Sequence, residues 1–98
     1  MTPRVIFKPA AVADMEQARG WYEERKVGLG DDFLQSVDSC IALIQRNPEA
    51  YPLVHQQVRM MPVRKFPYLI IYTPEANQIT VFSVFHTAKD PQIWKRRV

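Results

Sequence analysis

Five side chains in the second half of the sequence have the chemistry of phosphate handling. A histidine such as His86 can act as a general acid or base, while Arg59, Arg64, Lys65 and Lys89 could hold a phosphate beside it. A structural account competes with this one and carries more weight: His86 caps the end of a strand or bonds to backbone around Asp90, and its cationic neighbours form a solvated rim. Other residue types with chemical potential have plainer explanations. Asp31-Asp32 fits helix capping better than a metal site, and His55 has no evident partner. The single cysteine, Cys40, sits within a helical pattern, which excludes an intrachain disulfide or a thiolate-cluster zinc site. No metal or cofactor is expected.

The net charge of +3 is unevenly spread. Residues 1–50 carry six Lys/Arg against eight Asp/Glu, and residues 51–98 carry seven against two. A basic half suits an acidic partner, either nucleic acid or an acidic protein segment, and also suits an ordinary solvated face. At 98 residues and 47% apolar composition the chain suits one domain with one core. It has no apolar run of the roughly 18 to 20 residues that cross a bilayer and no secretory h-region after Met1-Thr2-Pro3-Arg4, so a cytoplasmic chain is expected.

The elements that must position these residues are readable in outline. Tyr68 to Thr73 and Gln78 to Phe85 are β-rich runs, and Pro74-Glu75-Ala76-Asn77 between them predicts a four-residue turn. Both runs are apolar on successive residues, which predicts central strands covered on both faces. A turn of that length would pair Leu69 with Phe82 and Lys65 with His86.

Upstream, Arg4 to Lys8 reads as a first strand between Pro3 and Pro9. Ala11, Met15, Ala18 and Tyr22 recur at helical spacing, predicting a helix from about Pro9 to Lys26, with Gly20 a weak point that could permit close packing and Trp21 and Tyr22 as packing residues. Gly28-Leu29-Gly30 breaks that helix. Asp32 with Gln35 resembles a capping box for a second helix, which carries Phe33, Val37, Cys40 or Ile41, and Ile44 inward and stops at Asn47-Pro48. Glu49 to Gln57 reads as a loop, and Val58 to Val63 as an irregular strand containing Pro62. Of Met60 and Met61, one should point into the core. Asp90-Pro91 can start a short C-terminal helix, with Trp94 folding back and Lys95-Arg96-Arg97 exposed. The fold class is therefore α+β, in the order β-α-α-β-β-β, with a helical hairpin on a small, mainly antiparallel sheet.

This order of elements carries a series of local motifs: Trp21-Tyr22-Glu23, Gly28-Leu29-Gly30-Asp31 with Phe33, Asn47-Pro48, Tyr51-Pro52, Phe66-Pro67-Tyr68 with Ile70 and Tyr72, and His86 with Asp90-Pro91 and Trp94. In this order they resemble the ParE branch of the RelE/ParE toxin superfamily over almost the whole chain. The resemblance implies the toxin half of a bacterial type II toxin–antitoxin pair, with growth arrest and plasmid stabilisation as its usual consequences. It also implies a cognate antitoxin that wraps the toxin with its C-terminal segment and reaches operator DNA through its own N-terminal part. A basic domain with a concave sheet fits an acidic amphipathic segment that folds on binding.

Two activities occur among such proteins. RelE-like members cleave mRNA on the ribosome, whereas ParE-like members poison DNA gyrase with no known chemical step of their own. In the RelE-like pattern Tyr-Arg-Leu-Val-Tyr the arginine contacts the phosphate; the matching stretch here is Tyr68-Leu69-Ile70-Ile71-Tyr72. Leu69 cannot stabilise charge developing on a phosphate. The resemblance therefore implies a gyrase inhibitor, with a ribosome-dependent nuclease using His86 and nearby cations as the alternative, and a non-toxic co-repressor as a third. Arg59, Arg64, Lys65, His86, Lys89, Trp94, Arg96 and Arg97 are the candidate contacts to target or antitoxin, although packing is the commoner role for a residue such as Trp94.

Overall fold

The computed structural model describes residues 2–98. Its elements are β1 (Arg4–Phe7), α1 (Pro9–Arg25), α2 (Leu29–Arg46), β2 (Leu53–His55), β3 (Val58–Pro62), β4 (Tyr68–Glu75), β5 (Gln78–His86) and α3 (Gln92–Lys95). The five strands form one sheet in the order β1-β5-β4-β3-β2, with β1 parallel to β5 and the other neighbours antiparallel. The expected α+β order is present with one strand added. Leu53–His55, expected to be loop, pairs with β3 through an irregular register, and a segment of three residues is too short to show a period in sequence. None of the helices among the described residues is long and apolar enough to cross a membrane.

Both faces of the central strands are covered, which explains their unbroken apolar runs. Phe33, Val37, Cys40, Ile41 and Ile44 of α2 pack with Ile70, Tyr72, Ile79, Val81 and Val84 on one face. The opposite face holds a smaller cluster of Val58, Ile71, Phe85 and Trp94, with Val54, Met60 and Leu69 against it. Met61 is the core-facing member of the methionine pair, and Met60 joins the smaller cluster.

The expected hairpin register is corrected at two points. Pro74 and Glu75 belong to β4, so the turn is only Ala76-Asn77, with Asn77 in the left-handed region at φ 56°. Pro74 is tolerated because β3 stops pairing at Tyr72, leaving this stretch of β4 one-sided. A bulge then leaves Phe82 unpaired between Ile71↔Ser83 and Tyr72↔Val81. Leu69 therefore pairs with Phe85, and His86 with Tyr68, while Lys65 lies outside the ladder in the β3–β4 turn at φ 70°.

The helical hairpin is also built differently from its sequence signals. Gly28, at φ 90°, is the N-cap of α2, so Leu29 and Gly30 are already helical and the Asp32 capping box is not formed. Glu23 replaces it. Its carboxylate accepts the Gly28 and Gly30 N–H groups, each at 3.0 Å, placing negative charge at the positive end of α2. The close approach falls at Gly30, where a Cβ would lie 2.7 Å from the Arg19 carbonyl oxygen, rather than at Gly20, where a Cβ would meet nothing within 4 Å. Gly20→Ala is accordingly expected to stabilise the fold by about 0.5–1 kcal/mol, and Gly30→Ala to destabilise it. Opposite shifts of the two urea midpoints would bear this out, and a stability loss in Gly20→Ala would refute it.

On α1 the buried stripe is narrow: Ala11 and Ala18 are buried, while Met15 and Tyr22 are partly so. Trp21, expected to pack, falls off this stripe and is 52% exposed. At the C-terminus α3 starts one residue later than expected, with Pro91 rather than Asp90 as its N-cap, and Asp90, one residue further out, accepts the Gln92 N–H at 3.0 Å. Trp94 is buried, but only part of the cationic tail is free: Arg97, expected to be exposed, folds back onto α1.

Candidate functional site

Strand β1 accompanies β5 only as far as Phe7↔Val81. Beyond that point α1 runs past β5, and Asp14 meets the residues that follow the bulge. Its Oδ2 accepts the Val84 N–H at 3.0 Å and the Ser83 hydroxyl at 3.1 Å. Arg97 completes the arrangement, donating through Nη1 to Asp14 Oδ2 and to Ser83 Oγ, both at 2.6 Å, and through Nη2 to Asp14 Oδ1 at 3.2 Å. The two-pronged ion pair is largely shielded, with side chains 17% and 26% exposed for Asp14 and Arg97.

This network forms one end of a cleft of about 520 Å³ between α1, the end of β5 and the C-terminal segment. Tyr22, Tyr68 and Val84 line it, Trp21 and Ile93 present apolar surface, and His86 and Lys89 contribute the remaining polar chemistry. Burial pushes the Tyr22 phenol above its ordinary pKa. It does the same for Tyr68, helped by the negative charge of an ionised Tyr22 and of Asp14. Near neutral pH both are phenols that can share a hydrogen bond but cannot serve as bases.

The His86 ring packs edge-on to Tyr68 at 5.0 Å, and its Nδ1 accepts the Ala88 N–H at 3.0 Å. A neutral ring in that arrangement carries its proton on Nε2. The expected backbone role of His86 is therefore present, two residues along at Ala88 rather than at Asp90.

Only His86 and Lys89 of the five expected phosphate-handling residues line this cleft. Arg59 pairs across from Tyr72 and His86 from Tyr68, so they sit on opposite sides of β4, four positions apart along it. Strand geometry separates their backbones by roughly 16 Å. The Arg59 guanidinium is occupied locally, donating to the carbonyls of Tyr51 at 2.7 Å and Glu49 at 3.1 Å. Arg64 and Lys65 are exposed in the β3–β4 turn, and Arg96 is exposed beyond α3. Trp94 lies on the other face of the sheet, 5% exposed beside Phe85.

The sequence model describing the ParE toxin of type II toxin–antitoxin systems, parDE, matches residues 5–91. The chain belongs to the ParE toxin family. Among solved structures it is similar to one described as the chromosomal ParDE TA system from P. aeruginosa, with a TM-score of 0.76 at 12% identity, covering 87% of this chain and 96% of that one. That likeness is one of fold. No curated protein sequence matches the chain significantly.

Within this ParE-family fold, Leu69 packs half-buried on the cluster of Val58, Ile71, Phe85 and Trp94. The family match ends before α3, so the tail that supplies Trp94 and Arg97 lies outside it. Sequence reasoning missed Asp14, Glu23 and Ser83. Asp14 and Ser83 are 69 positions apart, and no local spacing announces such a pair. Glu23, five residues before the glycine N–H it accepts, is nearer to a readable signal.

Tyr72 supplies a pH-dependent element of the same fold. Its hydroxyl donates to the Pro48 carbonyl at 2.7 Å, and burial pushes its pKa up to about 12, with Arg59 opposing and Tyr51 assisting. Because the folded pKa exceeds the unfolded one of about 10, this contribution is complete below pH ~10 and is lost as pH rises towards ~12, on the order of 2 kcal/mol. Urea titrations across that window should show a flatter alkaline decline in Tyr72→Phe than in the parent chain. Equal slopes would exclude Tyr72 as the source.

Proposed function

We propose that this chain is a ParE-type toxin that inhibits DNA gyrase by direct binding, stabilising the cleaved-DNA complex, and that a cognate antitoxin neutralises it. Family membership supports the toxin reading, and the description of a structural relative as a ParDE system supports an antitoxin partner. The observation that carries the choice of target is Leu69. Where mRNA-cleaving relatives have an arginine for the phosphate, this chain has an aliphatic side chain packed on an apolar cluster. Such a site lacks the cation that offsets charge in the transition state, a loss of a few kcal/mol.

Pulse-labelling of DNA and protein synthesis within minutes of inducing the chain without antitoxin tests the reading. Early failure of DNA synthesis with translation continuing is the expected result, and early failure of translation would overturn it. One observation favours mRNA cleavage as a second reading: His86 and Lys89 share a cleft with Tyr68. Under the gyrase reading His86→Ala leaves growth arrest largely intact; under the nuclease reading it abolishes cleavage. Unhindered growth during verified soluble expression would instead favour a co-repressor without toxicity.

A further inference from the structure

We propose that the cleft between α1, the end of β5 and the C-terminal segment is a binding site for a small planar aromatic carboxylate, its ring on Trp21 and Tyr68 and its carboxylate on Lys89 and the His86 Nε2–H. Such a site requires neither a macromolecular target nor an antitoxin, so it stands apart from the function proposed above.

Size and shape favour a small flat ligand. At about 520 Å³ the cleft falls within the roughly 300–1,000 Å³ of pockets that enclose small molecules, and the Asp14–Arg97 pair closes one end of it. Its walls are aromatic. Tyr22 stands at 89° to Trp21 and at 61° to Tyr68, so a planar ring laid on one of them meets the next edge-on, an arrangement that aromatic groups prefer. Trp21 is already oriented, with Arg25 3.8 Å from its ring centroid, and binding need not order a loose side chain. The exposed apolar surface of Trp21 and Ile93 is what such a ring would cover.

The polar side chains select an anion because they are nearly all donors. Asp14 is the one carboxylate lining the cleft, and it is saturated: Oδ2 accepts from Ser83, Val84 and Arg97, and Oδ1 accepts again from Arg97. The unused groups are of the opposite kind. Among the described residues the hydroxyls of Tyr22 and Tyr68 donate to no group of the chain, Lys89 forms no ion pair, and His86 engages only Nδ1, leaving the Nε2–H. Burial pushes both phenols above their ordinary pKa, which keeps them donors. Gln17, which both donates and accepts, is the exception. A ligand that displaces water from these groups must bring acceptors of its own, and beside an unpaired ammonium a charged acceptor is favoured over a neutral one.

The test is an NMR titration of the intact chain at neutral pH with 2-naphthoate, a flat aryl carboxylate. The two tryptophans give an internal comparison: the indole N–H of Trp21, in the cleft, should move in a saturable way, and that of Trp94, on the other face of the sheet, should stay where it is. The amides of Val84, His86 and Lys89 should move with Trp21. Binding should weaken about tenfold or more in Trp21→Ala and severalfold in Lys89→Gln, and should be unchanged in Arg46→Glu, which reverses a charge outside the cleft. The same ring carrying a neutral alcohol or a cationic amine in place of the carboxylate should bind severalfold more weakly or not at all. No saturable shift with 2-naphthoate, equal shifts of both indoles, equal affinity for the three probes, or full affinity in Lys89→Gln would each overturn the proposal. So would uridine monophosphate binding with the Trp21 and Lys89 dependence when 2-naphthoate does not. The gyrase reading stands or falls separately, because the pulse-labelling experiment contains no such ligand.

Discussion

Asp14→Ala is expected to cost about 2–4 kcal/mol, because it strips partners from three groups at once. The Val84 N–H loses its acceptor, the Ser83 hydroxyl loses one of its two bonds, and Arg97 is left partly buried with no counter-charge. A typical urea slope for a small domain converts this to a fall in midpoint of roughly 1–2 M. The damage should also be local. Amide exchange at Val84 should accelerate, and trypsin should cut more readily after Arg96 and Arg97. Arg97→Ala alone should cost less, since Asp14 keeps the Ser83 and Val84 donors, and the double variant should show clear coupling between the two residues. A midpoint within about 0.3 M of the parent would mean that the ion pair is ornamental, as many surface pairs are.

Trp94→Ala is expected to cost about 3–5 kcal/mol, the range for removing a large buried aromatic. Trp94 is 5% exposed and closes the cluster formed by Val58, Ile71 and Phe85. Without it, the sheet face opposite the helices opens to water. Since small domains are stable by only about 5–15 kcal/mol in total, the variant should be only marginally folded at physiological temperature. Loss of toxicity in that variant would then follow from loss of folded protein, and a denaturation curve run beside the growth assay separates the two causes. A folded, normally stable Trp94→Ala chain that fails to arrest growth would make Trp94 a contact residue after all.

The parts of this fold that were legible in sequence are those governed by short-range periodicity. The inward stripe of α2 from Phe33 to Ile44 is correctly read because every residue on it meets the same sheet face. Trp21 was misplaced because α1 approaches the sheet on alanines, and a stripe of small residues gives no strong guide to where a neighbouring aromatic points. The strand register was not legible. Pro74 could either end a strand or sit on its unpaired side, and the bulge at Phe82 carries no glycine or proline to announce it. Of the cleft, His86 and Lys89 were found because their side chains advertise chemistry. Asp14 was not, since its role depends on where β1 stops pairing, which is a property of the assembled sheet.

The pairing of β1 with β5 also bears on when this protein becomes functional. Arg4 is hydrogen-bonded to Gln78 across a separation of 74 residues, and the Asp14–Arg97 link spans 83. The α1–α2 hairpin, tied by Glu23, is local and can form early, whereas the sheet closes only after a long loop has been brought together. During synthesis at roughly 5–20 residues per second, the nascent chain thus holds an incomplete sheet until β5 has emerged and an incomplete cleft until Arg97 has. A ParE-family chain with this topology lacks its complete surface while it is being made, and that interval is when an antitoxin already present can meet it first.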